Sequence, residues 1–147
     1  MTDVEVEKLL IDRFLNNAGS MLDTEVIGGK TVYKNVNREN ISFTRPDDLY
    51  WFNVWFIPSR PKELVSFKSS GELWRGILQI DICTPNNIGK DALNERYKKV
   101  YECFPRGYIK DENGLSVRIT AVGRSVLQTF DDYSSLSVSV AWEAYLK

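Results

Sequence analysis

Residues 49 to 57 read Leu-Tyr-Trp-Phe-Asn-Val-Trp-Phe-Ile, a run in which only Asn53 is polar and which Pro58 closes. A run this short and this apolar fits a β-strand covered on both faces better than one with a wet face. The next regular stretch, Arg75 to Thr84, alternates instead. Leu78, Ile80 and Ile82 point one way while Gln79 and Asp81 point the other. From Ile88 to Phe104 the period changes again: Leu93, Tyr97, Val100 and Phe104 recur at the spacing of one helical face. Asp91, Glu95, Arg96, Lys98 and Lys99 leave the other side charged, acids early and bases late, as the helix dipole favours. Asn86 or Asn87 is placed to cap this helix, and Pro105 with Gly107 ends it.

The flanking segments supply the rest of an α+β core. Thr2 and Glu5 have the spacing of a capping box, and Leu10, Ile11, Phe14, Leu15 and Ala18 form one stripe, predicting an amphipathic helix over Asp3 to Ala18 that Gly19 stops. Met21 to Gly29 reads as a connection whose Gly28-Gly29 pair marks a turn; it lacks the lysine and hydroxyl residue of a phosphate loop. Thr31 to Val36 reads as a short strand, and residues 37 to 48 as irregular. After a turn at Asp111 to Gly114, Leu115, Val117, Ile119 and Ala121 alternate with polar residues, as do Leu136, Val138, Val140, Trp142 and Ala144. These two strands are expected to pair antiparallel across their short connector, Gly123 to Asp132. The expectation is one domain over residues 1–147 of α+β class. It has a mixed, mostly antiparallel sheet of about four to five strands, with two main helices packed on it.

Composition excludes more than it assigns. The 19 basic and 20 acidic residues are spread evenly, net −1, so there is no electrostatic footprint for specific nucleic-acid binding. No apolar run has bilayer-spanning length, and Asp3, Glu5 and Glu7 oppose a signal-peptide start, so no membrane partner and a cytosol-like compartment are expected. In that compartment Cys83 and Cys103 are small buried hydrophobes rather than a disulfide. The absence of histidine removes the usual base for a catalytic thiol and the usual zinc ligand sets. Asp47-Asp48 and Asp131-Asp132 are acidic pairs without cation-loop spacing. The chain is therefore expected to be no enzyme, with no catalytic residue, no metal and no cofactor.

Two features point to binding. The segment Pro58 to Glu72 is rich in proline, serine and charge, and is long for a hairpin link. It reads as a solvated loop, or as an arm over about 58–74 that orders against a neighbouring subunit. Tyr50, Trp51, Phe52, Trp55, Phe56 and Trp74 lie on or beside the central strands. Either the strand is buried on both sides, or the rings on an uncovered face meet another chain.

The N-terminal helix and Tyr33-Lys34-Asn35 precede an aromatic strand ending in Ile57-Pro58-Ser59-Arg60-Pro61. Trp74-Arg75-Gly76-Ile77-Leu78-Gln79-Ile80-Asp81-Ile82 comes next, followed by a turn, Pro85 to Gly89. The turn opens a helix ending at Phe104-Pro105-Arg106-Gly107, and the strand Ser137 to Trp142 completes the order. Taken together these segments resemble the bacteriophage tail terminator family, the minor tail protein U group of long-tailed phages. Ile57 to Gly107 is the most specific part, and Val122 to Tyr133 has no clear match.

The resemblance implies a structural virion protein at the head-proximal end of the tail, assembled in the host cytoplasm. It implies self-association as a ring, six-membered in this family, on the last ring of the tail tube. Such a ring ends tube polymerisation and presents a surface to head-completion or connector proteins. The implied partners are thus other copies, the tube protein and the connector. Arg60, Lys62, Lys68, Trp74 and Arg75 are the candidate interface residues, and Gly76 a site of close backbone approach or a bulge. The competing expectations are another neck or tail-completion protein, and a small ligand-binding or enzymatic α+β domain using the aromatic face as a pocket.

Overall fold

The alternation that starts near Arg75 belongs to a strand longer than its pattern. A computed structural model describes residues 2–39, 43–46, 50–59, 62–64, 71–86, 89–112 and 115–146. In it β6 spans Gly71–Pro85, beginning four residues before Arg75, and pairs antiparallel with β4 (Trp51–Pro58) on one side and β10 (Tyr133–Leu146) on the other. Beyond β10 lie β8 (Leu115–Arg124) and then β7 (Gly107–Glu112), both antiparallel, confirming the expected pairing of the two late strands. Beyond β4 lies the parallel β3 (Val36–Arg38). Short strands β5 (Lys62–Leu64) and β9 (Gln128–Thr129) add to β6 and β10. A separate hairpin pairs β1 (Thr24–Ile27) with β2 (Lys30–Tyr33).

The α+β class and the mixed, mostly antiparallel sheet are as expected, but the strand number is not. The main sheet has eight strands and the hairpin two among the described residues, against four to five expected. The additional strands are short pieces, several at edges, too brief for a local alternation to mark them in the sequence. Thus β1 lies inside the stretch read as a connection, and β7 takes up Asp111 and Glu112, read as part of a turn.

Both helices pack on one face of the sheet. In α1 (Thr2–Asn17) Val6, Leu10 and Phe14 are fully buried and four residues apart, so their side chains stack on one line, with Ile11 and Leu15 half-buried beside it. In α2 (Lys90–Cys103) Leu93, Val100 and Cys103 are buried, together with Phe104 just beyond it. They meet Phe52, Val54, Leu78, Ile80, Ile82, Val138 and Val140, with Phe14 edge-on to Phe52 at 5.4 Å. The side chain of Thr2, and with it the expected capping box, lies outside the described residues, as does Asn87. Gly89 occupies the start of α2 without a side-chain cap, correcting the expectation of an asparagine there. Asn86 is engaged elsewhere: its Nδ2 donates to the carbonyls of Phe130 and Asp131, and its Oδ1 accepts from Ser134.

Gly76 marks the close approach its position suggested, and no bulge. A Cβ built there would lie 2.6 Å from the Ile57 carbonyl oxygen and 2.6 Å from the Trp142 ring. That ring covers the glycine and stacks on Phe56, centroids 5.4 Å apart and planes 9° from parallel. Trp142 is 1 % exposed and its Nε1 has no hydrogen-bond partner among the described residues. Leaving that donor unpaired costs about 1–3 kcal/mol, while burying an indole ring contributes about 4–6 kcal/mol, so the ring decides the geometry. Gly76→Ala forces either backbone or ring to move. It is expected to lose about 2–3 kcal/mol, seen as a fall of about 5–10 °C in Tm by calorimetry.

Cys83 and Cys103 are buried free thiols, as expected. Desolvation is the main cause that pushes each from the ordinary 9.0 up to about 11. Both are expected to resist a thiol reagent at pH 8 in the folded protein and to react on unfolding. Because folding favours the neutral thiols, their contribution to stability is complete below about pH 9 and is lost as pH rises through about 11. A pH series of melting curves with Cys83→Ser and Cys103→Ser controls measures it.

Candidate assembly interface

The register across β4, β6, β10 and β8 lays out the face that carries no helix. Its rows run Trp51–Cys83–Ser135, Asn53–Asp81–Ser137, Trp55–Gln79–Ser139, Ile57–Ile77–Ala141–Ala121 and Arg75–Glu143–Arg118. The first row is covered. Arg45 lies over the Trp51 ring at 4.3 Å and the Tyr133 ring at 5.1 Å, and its Nη1 is 2.7 Å from Asp132 Oδ2. Asp132 is thus paired with a guanidinium, and no group of three or more metal-ligating side chains occurs among the described residues. Asp47 and Asp48 lie outside them.

The middle rows are bare. Trp55, Ile57 and Ile77 are 42 %, 49 % and 39 % exposed. This corrects the expectation that the 49–57 run is covered on both faces: only its first half is, because the helices reach one side and the Arg45 segment covers only one end of the other. A polar frame surrounds the bare rows. Asp81 accepts from Trp55 Nε1 (3.1 Å), Gln79 Nε2 (2.9 Å) and Ser137 Oγ (2.6 Å), and has no ion-pair partner among the described residues. At the far end Glu143 sits between Arg75 (3.3 Å) and Arg118 (3.1 Å). An apolar centre with a charged rim is the anatomy of a protein-binding surface.

A second exposed apolar surface is the β1–β2 hairpin, where Val26 is 71 % and Ile27 57 % exposed and Val32 is also open. Gly28 and Gly29 form its two-residue turn, both at positive φ, a conformation glycine adopts without strain. Its root is fixed by Asn35, which is fully buried. Asn35 Nδ2 donates to the Met21 carbonyl, its Oδ1 accepts from the Asp23 amide, and its carbonyl accepts from Phe52 N–H. The Tyr-x-Asn stretch thus earns its place as an anchor.

Of the sequence candidates, Trp74 and Arg75 are adjacent and therefore fall on opposite faces. Trp74 is half-buried against the core on the helix side, and Arg75 is exposed on the bare side in its pair with Glu143. Lys62 lies on β5, opposite Leu73, with its side chain outside the described ones. Arg60 and Lys68 lie outside the described residues. The arm's described parts within strands, Pro58, β5 and the start of β6 from Gly71, extend the central strand pairs. The Trp55–Ile77 patch and the hairpin went unmarked in the sequence as a pair of surfaces; the only signals were aromatic excess and the isolated glycine pair. A cleft of about 270 Å³ lies between the start of α2 and Arg124–Leu127, away from the aromatic face proposed as a ligand pocket.

Comparison with known proteins agrees with this architecture. No curated protein matches the chain. Nine chains of known structure do. One of them, 18% identical and covering 94% of this chain and 94% of its own, superposes with a TM-score of 0.64 and shares the fold. The family model of phage tail terminator proteins matches residues 30–142, from the hairpin through most of β10. The chain belongs to the phage tail terminator family, a family of structural tail proteins.

Proposed function

We propose that this protein closes the completed tail tube as a ring of six copies, prevents addition of further tube subunits and offers the surface to which head-completion proteins join. Family membership makes it a structural component of a phage tail; the capping step is our reading. The observation that carries it is the bare apolar centre of the sheet at Trp55, Ile57 and Ile77, on a molecule that also exposes a different apolar surface on its hairpin. Two unlike surfaces on one chain give a head-to-tail contact, which closes into a ring when the rotation per copy divides a full turn. Capping is then geometric: one side of the ring takes the place of a tube subunit, and the other offers the next tube subunit no site. In this reading the arm bearing Arg60, Lys62, Lys68 and Trp74, with Arg75 beside it, faces the tube or a neighbouring copy. Its bases set register and encounter rate.

The test is to add the purified protein to elongating tail tubes and image them in negative stain. Density at one tube end with arrested growth is expected, and loss of the gene is expected to give overlong, headless tails. Tails of normal length, with the protein bound only to connectors, would mean a neck protein instead. Ile57→Thr combined with Ile77→Thr is expected to weaken capping at least tenfold while shifting stability by about 1 kcal/mol, since both side chains are half exposed and threonine keeps the β-branched shape the paired strands favour. Arg60→Glu with Lys62→Glu is expected to slow capping about tenfold or more at low salt, with a smaller effect at high salt.

A further inference from the structure

The hairpin and the bare sheet face match each other in chemistry. On the hairpin, cross-strand pairs Glu25–Val32 and Ile27–Lys30 put these four side chains on one face, and Tyr33 on the other packs against the core. Glu25 is engaged with Lys34 at 3.3 Å, so the free charge of that face is Lys30, which has no ion pair among the described residues. The face thus presents Ile27 and Val32 beside one cation. The sheet presents Ile57 and Ile77 and, two rows away past Trp55, Asp81, an anion that accepts three hydrogen bonds and has no ion pair among the described residues.

We propose that the hairpin of one copy seats on the outer sheet face of the next, Ile27 and Val32 against Ile57 and Ile77, and Lys30 against Asp81. This rests on the ring reading and names its two surfaces. Three observations choose a second copy as the occupant. Both surfaces are apolar, each carries one charge of opposite sign without an ion pair among the described residues, and a two-stranded hairpin by itself gives its exposed valine and isoleucine nothing to pack on. The Gly28-Gly29 turn has no side chain, so the tip can lie close to a flat sheet. Rooted at Asn35, the hairpin is held in place before it binds, which lowers the ordering cost.

The experiment uses full chains. Ile27→Cys and Ile57→Cys proteins are mixed on tube ends and in concentrated solution, then treated with a short thiol cross-linker; the native thiols are buried. Dimers are expected only in the mixture, and a chain carrying both substitutions is expected to give a ladder of oligomers. Lys30→Glu should lower the yield about tenfold, as should Asp81→Lys, and combining them should restore it. Asp81→Asn, which keeps the side chain's size, covers the case in which Asp81→Lys does not fold.

Tubes that are capped without any 27–57 cross-link would overturn the hairpin contact and leave the capping reading intact. Cross-linking in solution by a protein that never binds tubes would support the contact and overturn the capping. Neither cross-link nor capping would overturn both. Equal yields from all charge variants would overturn the pairing of Lys30 with Asp81.

Discussion

Tyr133–Leu146 pairs with Glu72–Pro85 in one unshifted antiparallel register, and the rest of the molecule is arranged by it. Alternation along these two strands sends Leu78, Ile80, Ile82, Val138, Val140 and Trp142 to one side, where both helices bury them. The same alternation necessarily sends Ile77, Gln79, Asp81, Ser137 and Ala141 to the other. A slip of one residue would exchange the two sets. The core is therefore protected against slippage, and the composition of the bare face is tied to it.

Local devices keep the register. Gly76 leaves room for the Trp142 ring, which packs against Phe56 from the third strand, so three neighbouring strands are locked at one level. Arg96 ties α2 to this sheet: its guanidinium lies 3.6 Å from the Tyr50 ring centroid and donates to Thr84 Oγ1, partly desolvated in doing so. Arg45 does the equivalent on the opposite face, bridging Trp51, Tyr133 and Asp132. In both cases a delocalised cation stacks on an aromatic ring and hydrogen-bonds in its own plane, a combination lysine does not offer. These contacts close one end of the sheet on its two faces and leave the centre of the outer face open.

That open centre links fold to assembly. A sheet with helices on one side has a stable core without a second layer, so the outer face is free to serve another chain. Its aromatic and branched side chains at Trp55, Ile57 and Ile77 are held rigidly by strand pairing, and the hairpin by Asn35.

The sequence by itself determined the class of fold, the two helices, the central strands and the absence of histidine. Each of these follows from a period, a composition or a missing residue type that needs no partner to be read. The short edge strands were not legible, because strand pairing between distant segments, rather than local pattern, makes Val36–Arg38 or Gln128–Thr129 extended. The neighbours Trp74 and Arg75 were grouped as one site in the sequence, and the pleat sent them to opposite faces. Only the tertiary structure decided which rings of the aromatic run are buried, since covering a face depends on where α1, α2 and the Arg45 segment end, and their reach is set by packing, not by the strand's own residues.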